Sequence, residues 1–231
     1  MSTIAELMRV LQFGDSLLPV GAFSFSNGLE SAVQFGVVHD LATLRDFVRS
    51  SVEQAATSDG VAVLSAFRAA QLGDAQGIDL ADHAVFERKL NEEMRTMTTR
   101  MGRKLAEMSE RVLGPEASAI NGWLARIRAG ATPGCMPVAQ ALVFLALGLS
   151  ERDAFAVHQY GVASMMANAS LRLMRIHYLD VQSILFEVNA DAGAAYDRVA
   201  AHSLEDMAAF APAFDVLASL HVGSFVRMFM N

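Results

Sequence analysis

The chain has 231 residues, of which 53% are hydrophobic and 19% charged, so it can bury a sizeable core and is not a disordered segment. Its formal net charge of -7 argues against nucleic acid as a partner. Cys135 is the only cysteine, the first ten residues lack a secretory pattern, and the longest apolar block, Ala141–Leu149, is far short of the roughly 20 residues that span a bilayer; a soluble cytoplasmic chain with no membrane partner is expected.

Helical periodicity dominates in chain order. Ile4, Leu7, Met8 and Leu11 recur at helical spacing. Asp40 is placed to cap a helix carrying Leu41, Leu44, Phe47, Val48 and Val52, and a third helix runs near Val61–Leu72. Gly73 and Gly77 read as breakers. The next helix, about Asp82–Val112, is the clearest: Phe86, Leu90, Met94, Met97, Met101, Leu105, Met108 and Val112 fall every three or four residues on one seam. Gly114-Pro115 ends or interrupts it. A helix with Ile120, Leu124 and Ile127 on one face follows.

Ala129–Pro137 reads as a loop, and Pro137 suits the first turn of a helix through Leu147. Ser150 and Asp153 resemble a capping box for a long helix over Glu151–Ile176. Its small residues Gly161, Ala163, Ser164, Ala167 and Ser170 would admit a close neighbour and point to a symmetric homodimer. Further helices are expected over about Asp180–Ala201, Ser203–Ala209 and Val216–Met230. The fold class predicted is all-α, a multi-helix bundle in a single domain over residues 1–231.

The stretch LPVGAFSFSNGLE, Leu18–Glu30, is dense in special residues. It is no nucleophile elbow: Gly21 precedes Ser24 by three residues and Gly28 follows Ser26 by two, which breaks the Gly-x-Ser-x-Gly spacing. Neither Lys89 nor Lys104, the two lysines, follows a glycine at the spacing of a phosphate loop. The six histidines show no zinc or di-iron spacing, so no catalytic or metal residue is assigned. Pro19 and Gly21 bend an entry loop, Phe23 and Phe25 alternate with Ser24 and Ser26 as an extended segment with one apolar face, and Asn27 with Glu30 reads as the capping box of a short helix stopped by Gly36. On the seam helix, Arg95, Thr98 or Thr99, and Gly102 stack on one side. A mid-helix glycine costs roughly 1 kcal/mol against alanine, so Gly102 marks a close approach or a contact, at which leucine would be disruptive and alanine mild.

The segment Leu18–Glu30 resembles the N-terminal motif of the UreF family of urease accessory proteins. Three further blocks are similar: Glu92–Leu105 to the family's Arg-x-x-Ser/Thr-x-x-x-Gly-Arg stretch, Val138–Leu173 to its helix–Gly–helix region, and the ending HVGSFVRMFMN to its terminal tail. The resemblance covers nearly the whole chain. It implies an all-α dimer that is not an enzyme, that bridges UreD (also called UreH) and the nickel-carrying GTPase UreG, and that helps deliver nickel to apo-urease. Nickel then passes through the assembled complex, and the chain needs no cofactor of its own. Partner contact is implied for the motif residues Pro19, Gly21, Phe23, Ser24, Ser26, Gly28 and Glu30. It is implied also for Arg95 and Gly102, for Gln182, and for Phe225, Arg227 and Phe229 of the tail, which is expected to be helical if it docks through one face.

Two places depart from the family pattern. Arg175–Val181 lacks a Pro and a Gly that the family carries after the long helix, which would soften the break there, and Val222 replaces a Glu. The competing reading is an all-α enzyme, or a divergent paralogue scaffold, with an apolar pocket and another partner.

Overall fold

The computed structural model describes residues 3–15, 18–209, 212–222 and 227–230. Every regular element among them is helical, and none is a strand. The helices are α1 (Ile4–Gly14), α2 (Leu29–Gln34), α3 (Leu41–Thr57), α4 (Asp59–Gln71), α5 (Ala75–Glu87), α6 (Glu92–Leu113), α7 (Ser118–Arg128), α8 (Met136–Ala146), α9 (Glu151–Leu173), α10 (Tyr178–Asn189), α11 (Ala192–Val199) and α12 (Pro212–Val222).

Side-chain caps fix where many of them start. Thr3, Asp40 and Ser150 each close a capping box, with Glu6, Thr43 and Asp153 respectively, which satisfies amides that have no partner inside the helix. Asp74 and Asn91 cap α5 and α6 by accepting the Gly77 and Met94 amides. Gly114 and Gly148, at φ 67° and 75°, follow α6 and α8 in the left-handed region where a side chain is strained.

The short helix α8 lies at the centre. Pro137 through Phe144 are all buried, and α4, α6, α7 and α9 pack around it with Phe67, Leu105, Trp123 and Leu142 in one core. A second core joins α2, α3, α9 and α10 through Leu29, Leu44, Met166 and Val181. A third gathers Val61, Leu64, Phe155 and Val199. Helix α9 contributes to all three, which is why its buried residues are spread around its axis. Arg68 of α4 ties this end together: it pairs with Glu151 at 2.7 Å and donates to the Ala200 carbonyl, while Tyr196 donates to the same carboxylate. The Arg68 guanidinium holds the Glu151 carboxyl below the usual range.

Several expected boundaries are corrected. The seam over Asp82–Val112 is two helices, α5 and α6, parted at residues 88–91. Asn91 restarts the chain, and Arg95 Nε donates back to the Lys89 carbonyl at 2.7 Å. Leu90 is therefore exposed, whereas Met97, Met101 and Leu105 are core. Gly77 is no breaker but the first-turn residue that Asp74 caps. The expected helix Glu151–Ile176 ends at Leu173, because Met174 is extended, and the break is not softened: His177 caps α10. Asp180–Ala201 is likewise two helices, and Ser203–Ala209 holds only one 3-10 turn, Leu204–Asp206. Helix α12 ends at Val222, and Arg227–Met230 is not helical; the residues between lie outside the description.

Two expected faces also differ. The stripe Ile4, Leu7, Met8 and Leu11 forms on α1 but faces solvent, with Ile4 84% exposed; α1 is held instead by Phe13, buried in the first core, and by Arg9, which donates to the Leu147 carbonyl. On α9, Ala163, Ser164, Ala167 and Ser170 are buried within the single chain, so the close approach they permit is used by the chain's own helices. A Cβ added at Gly161 would meet nothing within 4 Å.

Candidate functional site

The N-terminal motif folds as a loop wound onto its own carboxylate. Gly21, Asn27 and Gly28 take φ of 91°, 54° and 81°, turns that two glycines make at little steric cost. Ala22–Ser24 forms a 3-10 turn rather than the extended segment expected, so Phe23 and Phe25 do not share a face: Phe23 is 73% exposed and Phe25 is buried. The cap position of α2 is Gly28, not Asn27, and the Ser26 hydroxyl accepts the Glu30 amide at 3.2 Å.

Glu30 is only 2% exposed, and a buried carboxylate needs donors. It finds them in the tail. Oε1 accepts the Met228 amide at 2.7 Å, and Oε2 accepts the Phe229 amide at 2.9 Å. Oε2 also meets Nε2 of His221, whose Nδ1 lies 2.8 Å from Glu93 on α6. Arg227 donates to the other oxygen of Glu93 at 2.8 Å. The Met230 amide donates to the Ser24 carbonyl, and Arg172 of α9 lies 4.3 Å over the Phe229 ring while donating to the Phe23 carbonyl. Motif, α6, α9, α12 and tail thus meet at one place.

Beside that place a cavity of about 500 Å³ opens between α6, α8 and α9. Its walls include Phe25, Met97, Met101, Arg172 and Phe229. His158 reaches it from α9: Nδ1 contacts Gln140 Oε1 at 2.8 Å, and Nε2 has no partner among the described residues. Burial drives the pKa of this imidazole down to about 4. The Lys89–Asp59 pair, at 2.7 Å, lines the same space.

The structure brings Ser24, Ser26, Glu30, Arg227 and Phe229 together, with Pro19, Gly21, Phe23 and Gly28 shaping the loop around them. It leaves the other predicted residues apart. Arg95 brackets the start of α6, lying 5.2 Å over Phe86. Gln182 is exposed on α10, and Phe225 lies outside the described residues. Gly102 packs against the loop before α8. A Cβ built there would stand 2.6 Å from the Cys135 carbonyl carbon, 2.7 Å from the Met136 amide, and closer still to the Gly134 oxygen. The neighbour is backbone, so the expectation that alanine would be mild is wrong.

That loop is pinned by a residue the sequence reading passed over. Asp82 of α5, fully buried, accepts hydrogen bonds from Trp123 Nε1, the Thr132 hydroxyl, and the amides of Gly134 and Cys135, at 2.6–3.2 Å. Cys135 lies beside it, its thiol pushed well up by burial and then by the Asp82 charge. Glu93, His221 and Arg172 were also missed as site residues. No spacing marks them, because their partners lie far away in the chain.

The chain is thus an all-α bundle whose N-terminal motif holds residues 228 and 229 by hydrogen bonds to Glu30. Comparison with known proteins specifies the family. A family model described as UreF matches residues 38–189. A Brucella suis protein named urease accessory protein UreF 2 is 52% identical over 229 residues, covering 99% of this chain and 93% of that one. A Yersinia pseudotuberculosis protein named urease accessory protein UreF is 50% identical over 227 residues, covering 98% and 99%. The chain belongs to the UreF family of urease accessory proteins and is not an enzyme. No helix of the described residues is long and apolar enough to cross a membrane.

Proposed function

We propose that this chain acts in the cytoplasm as the scaffold that bridges UreD and the GTPase UreG, so that nickel reaches apo-urease. The observation that carries the reading is the 50–52% identity that runs almost end to end, motif included, to proteins named as UreF. In this account residues 1–231 work as one unit and pair as a homodimer. Nickel is cargo of the assembled complex rather than a resident cofactor.

The partner-facing residues divide by what they can offer. Phe23 is exposed and available to a partner directly. Ser26, Gly28 and Glu30 are buried and act by shaping the loop and holding the tail. Arg227 and Phe229 are the tail's polar and aromatic anchors for UreD. Gly102 serves indirectly, through the loop before α8. Co-purification tests the reading: tagged UreD should retain this chain, and the pair should then retain UreG. A folded chain that neither protein retains would contradict it.

A further inference from the structure

We propose that the cavity between α6, α8 and α9 is a binding site for a small neutral alcohol, an apolar molecule with one hydroxyl group, which donates its hydrogen to His158 Nε2. This site needs neither UreD nor UreG and stands apart from the bridging function.

The walls set both halves of that chemistry. Phe13, Val20, Phe25, Met97 and Met101 line an apolar space of about 500 Å³, within the ~300–1,000 Å³ of small-molecule sites, and methionine adapts to irregular shapes. Two buried polar side chains line the same space. His158 and Ser51 are 6% and 3% exposed, and neither His158 Nε2 nor Ser51 Oγ has a partner among the described residues. Gln140 Oε1 only accepts, so His158 Nδ1 carries the ring proton and donates to it at 2.8 Å. Burial keeps the ring neutral near pH 7, which leaves Nε2 as a bare acceptor. A buried acceptor without a donor is costly, so a ligand that brings a hydrogen is favoured there. A carboxylate has none to give. An ammonium would have to leave water for an apolar wall whose Asp59 is already matched by Lys89 at 2.7 Å. A hydroxyl supplies the hydrogen without a charge, and Ser51 Oγ, able to donate or accept, offers a second polar contact. Gly161 also lines the cavity, and a Cβ added to it meets no atom within 4 Å, so a larger side chain at this position has room to enter the space the ligand would take.

The test uses the full chain, with 1-octanol as the probe and octyl methyl ether as its counterpart lacking the donor. Titration calorimetry should show one molecule of 1-octanol bound per chain. The ether should bind roughly tenfold more weakly, the cost of one buried hydrogen bond left unmade. In ring-nitrogen NMR spectra the Nε2 signal of His158 should move when 1-octanol is added and stay in place with the ether. Gly161→Leu should abolish binding of the alcohol, with the far-UV circular dichroism and the thermal midpoint of the parent retained. His158→Leu should lower the affinity for 1-octanol to that for the ether; should it fail to fold, the ether comparison and Gly161→Leu decide. A cavity that takes up water only, with no octanol bound, overturns the proposal. Equal affinity for alcohol and ether, or unchanged binding by Gly161→Leu, overturns it as well.

Discussion

Gly102 of α6 and Gly134 of the loop before α8 meet backbone to backbone. No side chain fits between them, because a Cβ on Gly102 would run into the peptide units of Gly134–Met136. Backbone on both sides of a buried contact cannot move aside as a flexible side chain does. Gly102→Ala should therefore destabilise the fold by about 2–3 kcal/mol, the range of overpacked cores, despite the gain in helix propensity. Urea unfolding measures it; a variant as stable as the parent would mean that the two elements can separate freely.

Asp82 holds the other side of the same loop. Asp82→Ala would leave four donors unpaired in the interior: the Trp123 indole, the Thr132 hydroxyl and two amides. At about 1–3 kcal/mol for each unsatisfied group, the loss should exceed about 4 kcal/mol, and the chain should lose cooperative thermal unfolding near room temperature. A melting transition shifted by only a few degrees would contradict the assignment.

His158 makes stability depend on acid. Its folded pKa is about 4, against 6.5 for the free side chain, with burial the main cause. Below pH 6.5 the unfolded chain takes up a proton that the folded chain refuses. Stability is therefore fully present above pH 6.5 and falls as the pH drops towards 4, with a loss that reaches about 3 kcal/mol. His158→Gln removes the proton site and keeps a polar group beside Gln140. Urea midpoints for the two proteins should converge between pH 7 and pH 4.5, and parallel curves would show that His158 does not carry the effect.

Much of the architecture was legible in short-range pattern. Asp40, Ser150 and Gly148 act within a few residues of themselves, so the start of α3, the start of α9 and the turn after α8 follow from local chemistry. The seam from Phe86 to Val112 misled because an apolar period can run through a break when the restart falls in phase. Asn91, a cap within that period, was the available signal for the break. The α1 stripe shows the opposite case: the period predicts the helix but not what covers it. The special residues of the motif were visible as a group, yet their purpose was not. Glu30 reads as a capping residue until the tail, 199 positions away, supplies its amides. Asp82 gave no warning at all, since a single aspartate on an apolar helix face reads as surface until its donors arrive from the α7 and α8 region.

The central claim, that this chain is the scaffold through which urease receives nickel, is tested most directly by reconstitution. Apo-urease, nickel, UreD and UreG are combined with and without this chain, and urease activity is followed over time. The account predicts that activity appears when the chain is present and stays at background when it is left out, and that a chain lacking residues 222–231 behaves like the omission. Equal activation with and without the chain would contradict it.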